Sequence, residues 1–85
     1  MKKFTYTITD EIGIHARPAG LIVKEAKQFN STMTLICKEK RADLTRLMAI
    51  MSLGVRRGDE VIIEIEGSDE AQAAAAMKTF FNENL

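Results

Sequence analysis

Apolar and polar residues alternate at the start of the chain: Phe4, Tyr6 and Ile8 interleave with Lys3, Thr5 and Thr7. A period of two predicts a strand over about 3–8 with one apolar face. From position 16 the period changes. Ala19, Ile22, Val23, Ala26 and Phe29 recur at helical spacing, which predicts a helix over about 16–28 with those five turned to the core. Pro18 suits the first turn of that helix, where a missing N–H leaves no intrahelical bond unmade. Lys24 and Lys27 fall on its outer side, and by themselves suit a solvated face.

The stretch from Thr32 to Cys37 is rich in β-branched and apolar residues and predicts a second strand, with Met33, Leu35 and Cys37 on one face. On that face Cys37 is a small core hydrophobe, not a reactive thiol. Lys38-Glu39-Lys40 is then a hairpin turn without glycine. No residue in it takes a positive φ cheaply, so a wide or strained turn is expected. Arg41 to Asp43 is a short charged strand suited to a sheet edge. Thr45 is the expected N-cap of a short helix over Arg46 to Leu53, closed by Gly54. The apolar residues of that helix cover more than half its circumference. If Ile50 and Leu53 face inward, then Leu47, Met48 and Met51 are left outside; all five in the core is the competing reading.

Val55 to Asp59 is a turn, and Val61 to Glu66 is a last strand with Val61, Ile63 and Ile65 on one face. Asp69 with Gln72 three positions on resembles a capping box. The alanine-rich run from Ala71 to Phe81 is a strong helix former with a predicted stripe of Ala74, Met77 and Phe81. The order is β-α-β-β-α-β-α, an α+β class in which helices cover one side of a sheet. The whole chain, 1–85, is expected to be one domain.

Composition narrows the function. Twelve basic residues balance twelve acidic ones, which argues against general nucleic-acid binding. A chain of this size buries only about 60–65% of its unfolded surface, so one modest core and no deep cleft are expected. The single cysteine cannot form an internal disulfide, which suits a reducing cytoplasm. No apolar run follows Met1-Lys2-Lys3, so neither a signal peptide nor membrane insertion is expected.

Candidate chemistry lies in Gly13-Ile14-His15-Ala16-Arg17-Pro18-Ala19-Gly20. His15 is the only histidine and falls at the entry of the first predicted helix. A helix start offers unpaired N–H groups and a partial positive charge, both suited to an anion. The Arg17 guanidinium matches phosphate oxygens. Imidazole is a good nucleophile near neutral pH. A nucleophile beside an anion site is what a transient phosphoryl acceptor requires. On chemistry alone, a lone histidine here is more often a polar cap, and Arg17 more often a solvated charge. No second catalytic group is legible nearby, which argues against a hydrolytic enzyme, and no metal or cofactor is called for.

Gly13-Ile14-His15-Ala16-Arg17-Pro18-Ala19 resembles the active-site signature of the HPr family, the histidine phosphocarriers of the sugar phosphotransferase system. Met51-Ser52-Leu53-Gly54-Val55 followed by Gly58-Asp59-Glu60 matches a second stretch of that family, and length and element order agree from end to end. The resemblance implies an open-faced β-sandwich: a four-stranded antiparallel sheet in order 1-4-2-3 with three helices on one face. It implies that His15 takes a phosphoryl group on its δ nitrogen from enzyme I and passes it to an enzyme IIA domain. Arg17, with the Ala16 and Arg17 backbone N–H groups, would hold the phosphate. The docking surface would comprise Ile12, Gly20, Lys24, Lys27, Arg46, Leu47, Met48 and Met51. The protein would be a cytoplasmic monomeric carrier that turns nothing over alone.

Two positions depart from the family pattern. Members often carry a small polar residue where this chain has Ile12, so a phosphate contact is missing and an apolar rim takes its place. Many Gram-positive members carry a kinase-regulated serine where this chain has Arg46, so serine-type regulation is expected to be absent there. Two alternatives share the fold: a nitrogen-branch paralogue with other partners, and a regulatory adaptor that carries no phosphoryl group. Relatives of the latter kind typically lose the histidine, which this chain keeps.

Overall fold

The computed structural model describes residues 1–85. Its elements run β1 (Lys2–Thr7), α1 (Ala16–Ala26), β2 (Thr32–Cys37), β3 (Lys40–Asp43), α2 (Leu47–Ser52), β4 (Glu60–Glu66) and α3 (Glu70–Asn84). The four strands form one antiparallel sheet in the order β1-β4-β2-β3. Register places Phe4, Ile63, Leu35 and Ala42 in one row across all four strands. Side chains alternate between faces along a strand, so this row and the buried Met33, Cys37, Val61 and Ile65 form the inner face. The three helices cover that face, and 19 buried apolar residues make one cluster between the layers.

The outer face carries Thr5, Ile62, Ile36 and Arg41 in the neighbouring row. Glu64 pairs there with Lys3 on one side and Arg41 on the other, at 3.6 and 2.7 Å. Charges laid over an open sheet face discourage a second sheet from stacking on it.

The strand periodicities carry over closely, and the differences lie at ends and caps. β1 stops at Thr7, and Ile8 is buried in the core from a loop position. Ile14, Leu44 and Val55 do the same. α1 ends at Ala26, two residues short of the predicted end, and Val23 and Phe29 are only half-buried. The 37–40 hairpin is tight, not wide: Cys37 pairs with Lys40, and Lys38 and Glu39 sit at φ 51° and 71°. Left-handed backbone costs a non-glycine residue roughly 1–2 kcal/mol, so the turn is strained as expected. Thr45 is not the cap of α2. Its N–H and hydroxyl both donate to Asp43, at 2.7 and 2.5 Å, and Arg46 takes the N-cap position without a side-chain bond. Gly54 follows the Leu53 C-cap at φ 65°, as the closing glycine should.

At α3 the expected capping box is absent. Asp69 is the N-cap residue, but its carboxylate accepts from Ser31 Oγ at 2.5 Å and from the Asn30 N–H at 2.9 Å. The cap side chain therefore ties α3 to the loop between α1 and β2. The core stripe of α3 is Ala73, Met77 and Phe81, with Ala74 half-buried beside it. Phe81 receives Phe4 and Tyr6 edge-on, at centroid distances of 6.1 and 5.7 Å. At the far end of α3, Leu85 is buried and its carbonyl accepts from the Thr9 and Asp10 N–H groups, at 2.6 and 2.8 Å.

The loop from Ile8 to Ile14 is fixed at both ends to one turn. The Ile8 N–H donates to the Asp59 carbonyl at 3.0 Å, and the Gly58 N–H donates to the Ile8 carbonyl at 2.8 Å. The Ile14 N–H donates to the Val55 carbonyl at 3.0 Å. Gly13, at φ 87°, lies so close to this turn that a Cβ there would sit 2.4 Å from the Val55 carbonyl and 2.6 Å from Arg56 Cα. Only glycine fits.

Two outcomes follow for stability. Gly13→Ala should lose about 1–3 kcal/mol in urea unfolding, from the left-handed strain and the forced separation of the two loops. Asp69→Asn should be less stable than wild type at neutral pH. The Ser31 hydroxyl, with the Asn30 N–H, lowers the Asp69 pKa in the folded state. A depressed carboxylate stabilises the fold above its unfolded-state pKa and ceases to do so as pH falls through the folded-state value. Thermal melts should therefore separate the two proteins at neutral pH and converge as the pH falls through the lowered folded-state pKa of Asp69.

Candidate functional site

Asp10 begins the site loop with a turn. Its Oδ1 accepts from the Ile12 and Gly13 N–H groups at 2.9 and 3.3 Å, and its carbonyl accepts from the Gly13 N–H at 3.1 Å. The chain then passes through Gly13 and the buried Ile14 to His15. His15 is the N-cap of α1, with extended backbone at φ −109° and ψ −169°. Its carbonyl accepts the Ala19 N–H at 2.9 Å, which begins the helical ladder. Its half-buried imidazole makes no capping bond. The N–H groups of Ala16 and Arg17 find no acceptor in the chain, and Pro18 has none to offer. A serine or aspartate at this position would normally accept the Arg17 N–H, the second amide of the helix, with its own oxygen. Histidine leaves it open.

His15, Arg17 and Ile12 share the rim of an open depression of about 450 Å³. Pro18 and Leu21 continue it along α1, and Asp10, Glu11 and Asn84 complete it. The depression thus sets one histidine and one arginine against acidic neighbours. No group of three His, Cys, Asp or Glu side chains is placed to hold a metal ion.

The other predicted residues flank this depression on helix surfaces. The buried arc of α1 is Pro18, Ala19, Ile22 and Ala26. Ala16, Arg17, Gly20, Lys24 and Lys27 are exposed on the opposite arc, with Lys27 at the C-cap. α2 packs beside α1 and presents Leu47 at 40% exposure and Met48 at 72%. Met51 is half-buried and packs against the core, so it contributes less outer surface than expected; Leu53 is likewise only half inward. Arg46 is exposed at the start of α2. Arg17, Lys24, Lys27 and Arg46 form none of the chain's ion pairs. A surface with several free cations and an exposed methionine results.

Four rim residues were not anticipated. Leu21, 41% exposed, lies one helical turn after Arg17, and counting the outer arc of α1 would have found it. Asp10 and Glu11 adjoin the motif but read as a plain strand exit. Asn84 comes from the far end of the chain, brought in by the Leu85 bonds to Thr9 and Asp10; no local pattern announces that.

The turn beneath the loop is also charged. The Arg56 N–H donates to Asp59 Oδ2 at 2.9 Å, and Lys38 Nζ lies 3.5 Å from Oδ1. The Arg56 N–H, with Lys38 and Arg56 adding attraction, holds the Asp59 carboxyl below the usual carboxylate range. Cys37 is buried, and burial pushes its thiol pKa up, which removes it from thiolate chemistry.

A family model described as "PTS HPr component phosphorylation site" matches residues 2–83. The chain is 42% identical to phosphocarrier protein HPr of Mycoplasma capricolum over 78 residues, 92% of this chain and 88% of the relative. It is 39% identical to phosphocarrier protein HPr of Mycoplasma genitalium, over 99% of this chain and 97% of the relative. Among solved structures, the histidine-containing phosphocarrier protein of a mycoplasma superposes with a TM-score of 0.93 at 39% identity, covering 96% of this chain and 93% of that one. With the sheet order, the three helices and a free histidine at the start of the first helix, these matches mean that the chain belongs to the HPr family of phosphotransferase-system phosphocarriers, carriers and not catalysts.

Proposed function

We propose that His15 accepts a phosphoryl group from phosphorylated enzyme I and passes it to enzyme IIA domains, in the cytoplasm, with the 85-residue chain acting as one monomeric domain. The observation that carries this reading is the uncommitted imidazole at a helix N-cap whose first two amides are also uncommitted. In the transfer, the lone pair of the His15 δ nitrogen forms the new P–N bond. The donor's bond to phosphorus breaks, and its electron pair leaves with the donor. The second transfer repeats this with His15 as the leaving side.

The modified ring carries up to about two negative charges beside the start of α1. The Ala16 and Arg17 N–H groups, the positive end of the helix and the Arg17 guanidinium oppose that charge. Asp10 and Glu11 on the same rim oppose the anion's presence. The balance favours moderate retention, which suits a group that must leave again. Leu47 and Met48 supply apolar contact for docking, with Ile12, Gly20 and part of Met51 around them. Lys24, Lys27 and Arg46 surround them with positive charge. Free cations speed encounter, while a small apolar patch keeps the complex short-lived. Methionine adapts its shape to more than one partner.

Incubation with enzyme I and phosphoenolpyruvate, followed by phosphorus NMR, should give an acid-labile phosphoramidate signal. His15→Ala should abolish it; a signal that persists, or that maps to another side chain, refutes the assignment. Arg17→Ala should slow transfer roughly ten- to hundredfold, the equivalent of one charge-assisted hydrogen bond of about 1.5–3 kcal/mol. A wild-type rate removes Arg17 from the site. Met48→Asp should raise the apparent KM at enzyme I roughly tenfold and leave the melting temperature unchanged, because the side chain is already exposed.

A further inference from the structure

We infer that Asp59, which touches neither His15 nor the depression, is a positioning residue for the phosphoacceptor loop. This rests on the reading of His15 given above. The loop from Ile8 to Ile14 is held at its two ends by two carbonyls, those of Asp59 and Val55. The separation of those carbonyls therefore sets the span of the loop. Asp59 fixes that separation twice over and is itself one of the anchors. Its N–H donates to the Arg56 carbonyl at 3.0 Å, its carboxylate accepts the Arg56 N–H at 2.9 Å, and its own carbonyl is one of the two anchors. The side-chain bond is the part that sequence controls.

Without that bond the Arg56 N–H loses its acceptor, and the turn bearing the Val55 carbonyl is free to shift. The Ile14 amide moves with it, and Gly13 has no slack because its backbone already lies against Arg56 Cα. His15 is the next residue. A displacement at Val55 therefore reaches the ring through two peptide units. Lys38, from the 37–40 hairpin, braces the other carboxylate oxygen. The turn from Val55 to Asp59 is thus a scaffold for the site as well as a connection between α2 and β4. Misplacing a reacting group by about 1 Å is worth up to roughly a hundredfold in rate, and small shifts suffice to be seen.

The test compares Asp59→Ala and Asp59→Asn with wild type, using enzyme I and phosphoenolpyruvate as donor. Asp59→Ala should lower the phosphorylation rate roughly tenfold at unchanged apparent KM, since the docking residues are untouched. Asp59→Asn keeps an oxygen acceptor for the Arg56 N–H and should recover to within about threefold of wild type. In nitrogen–proton NMR of Asp59→Ala, the Ile14 and His15 amides should shift and the Ile14 amide should exchange faster, while Leu35 and Ile63 at the sheet centre keep wild-type exchange. A wild-type rate with unshifted Ile14 and His15 amides overturns the inference. So does faster exchange spread evenly over the sheet, which marks general destabilisation. In the unmodified chain, the Arg56 and Ile14 amides should open together; an unprotected Arg56 amide beside a protected Ile14 overturns the inference even if Asp59→Ala does not fold. If wild type itself takes no label, the carrier reading fails, while the exchange data still decide the role of Asp59.

Discussion

The contact between Gly13–Ile14 and the Val55–Arg56 backbone is the constraint from which the site follows. A helix N-cap is ordinarily held by its own side chain, which bonds to the second or third amide of the helix for about 1 kcal/mol. His15 does not do this. The start of α1 must therefore be held from outside. Ile14 supplies the hold twice, with a buried side chain and with an amide bonded to Val55. Asp10 closes the preceding turn and Leu85 ties down its base. The ring and the first two amides of α1 are then free because other groups have taken over the work of capping. Exposed chemistry here is the consequence of loop packing, not of looseness.

The same division of labour separates the two faces of the helical layer. α1 gives Ala19, Ile22 and Ala26 to the core, and its opposite arc keeps Arg17, Lys24 and Lys27 without acidic partners. A net charge of zero conceals this. Several acidic side chains are engaged elsewhere: Glu64 on the outer sheet face, Asp43 under Thr45, Asp59 in its turn, and Asp69 and Glu70 at the start of α3. Most exposed ion pairs contribute about 0–1 kcal/mol, so this arrangement adds little stability. Its effect is to leave the outer arc of α1 positively charged, while Asp10 and Glu11 keep the rim beside His15 mixed in sign.

The sheet and the element order were legible because a one-sided sheet enforces strict alternation. A slip of one residue in β2 would turn Met33, Leu35 and Cys37 outward. Caps were less legible because an acidic side chain has several donors to choose from. Asp69 reads locally as a cap for α3, yet Ser31 and Asn30, distant in sequence, take its carboxylate. Thr45 reads as a cap for α2, yet Asp43 sits close enough to claim its hydroxyl. His15 and Arg17 were visible through the motif around them; Leu21 was not anticipated, although counting the outer arc of α1 would have found it. Asn84 was not visible, because the Leu85 backbone bonds that bring it to the rim exist only in the tertiary fold; Asp59 lay in the second family-like stretch, but its bond to the Arg56 N–H had no local signal.

The strained hairpin bears on the same turn. Lys38 and Glu39 both occupy left-handed backbone where Asn-Gly would be unstrained, at roughly 1–2 kcal/mol each. An exposed Lys38–Asp59 pair, screened by solvent, does not offset that. What holds the turn tight is the burial of Cys37 and Leu35 on one strand and Ala42 on the other, whose register leaves only two residues for the bend. Given a turn fixed by the core, the residue at its first position is free to serve another purpose. A glycine there would relieve the strain and remove the ammonium that lies against the Asp59 carboxylate. Lysine keeps the strain and keeps the brace on Asp59, whose turn holds the loop through Gly13 and Ile14 to the uncapped His15.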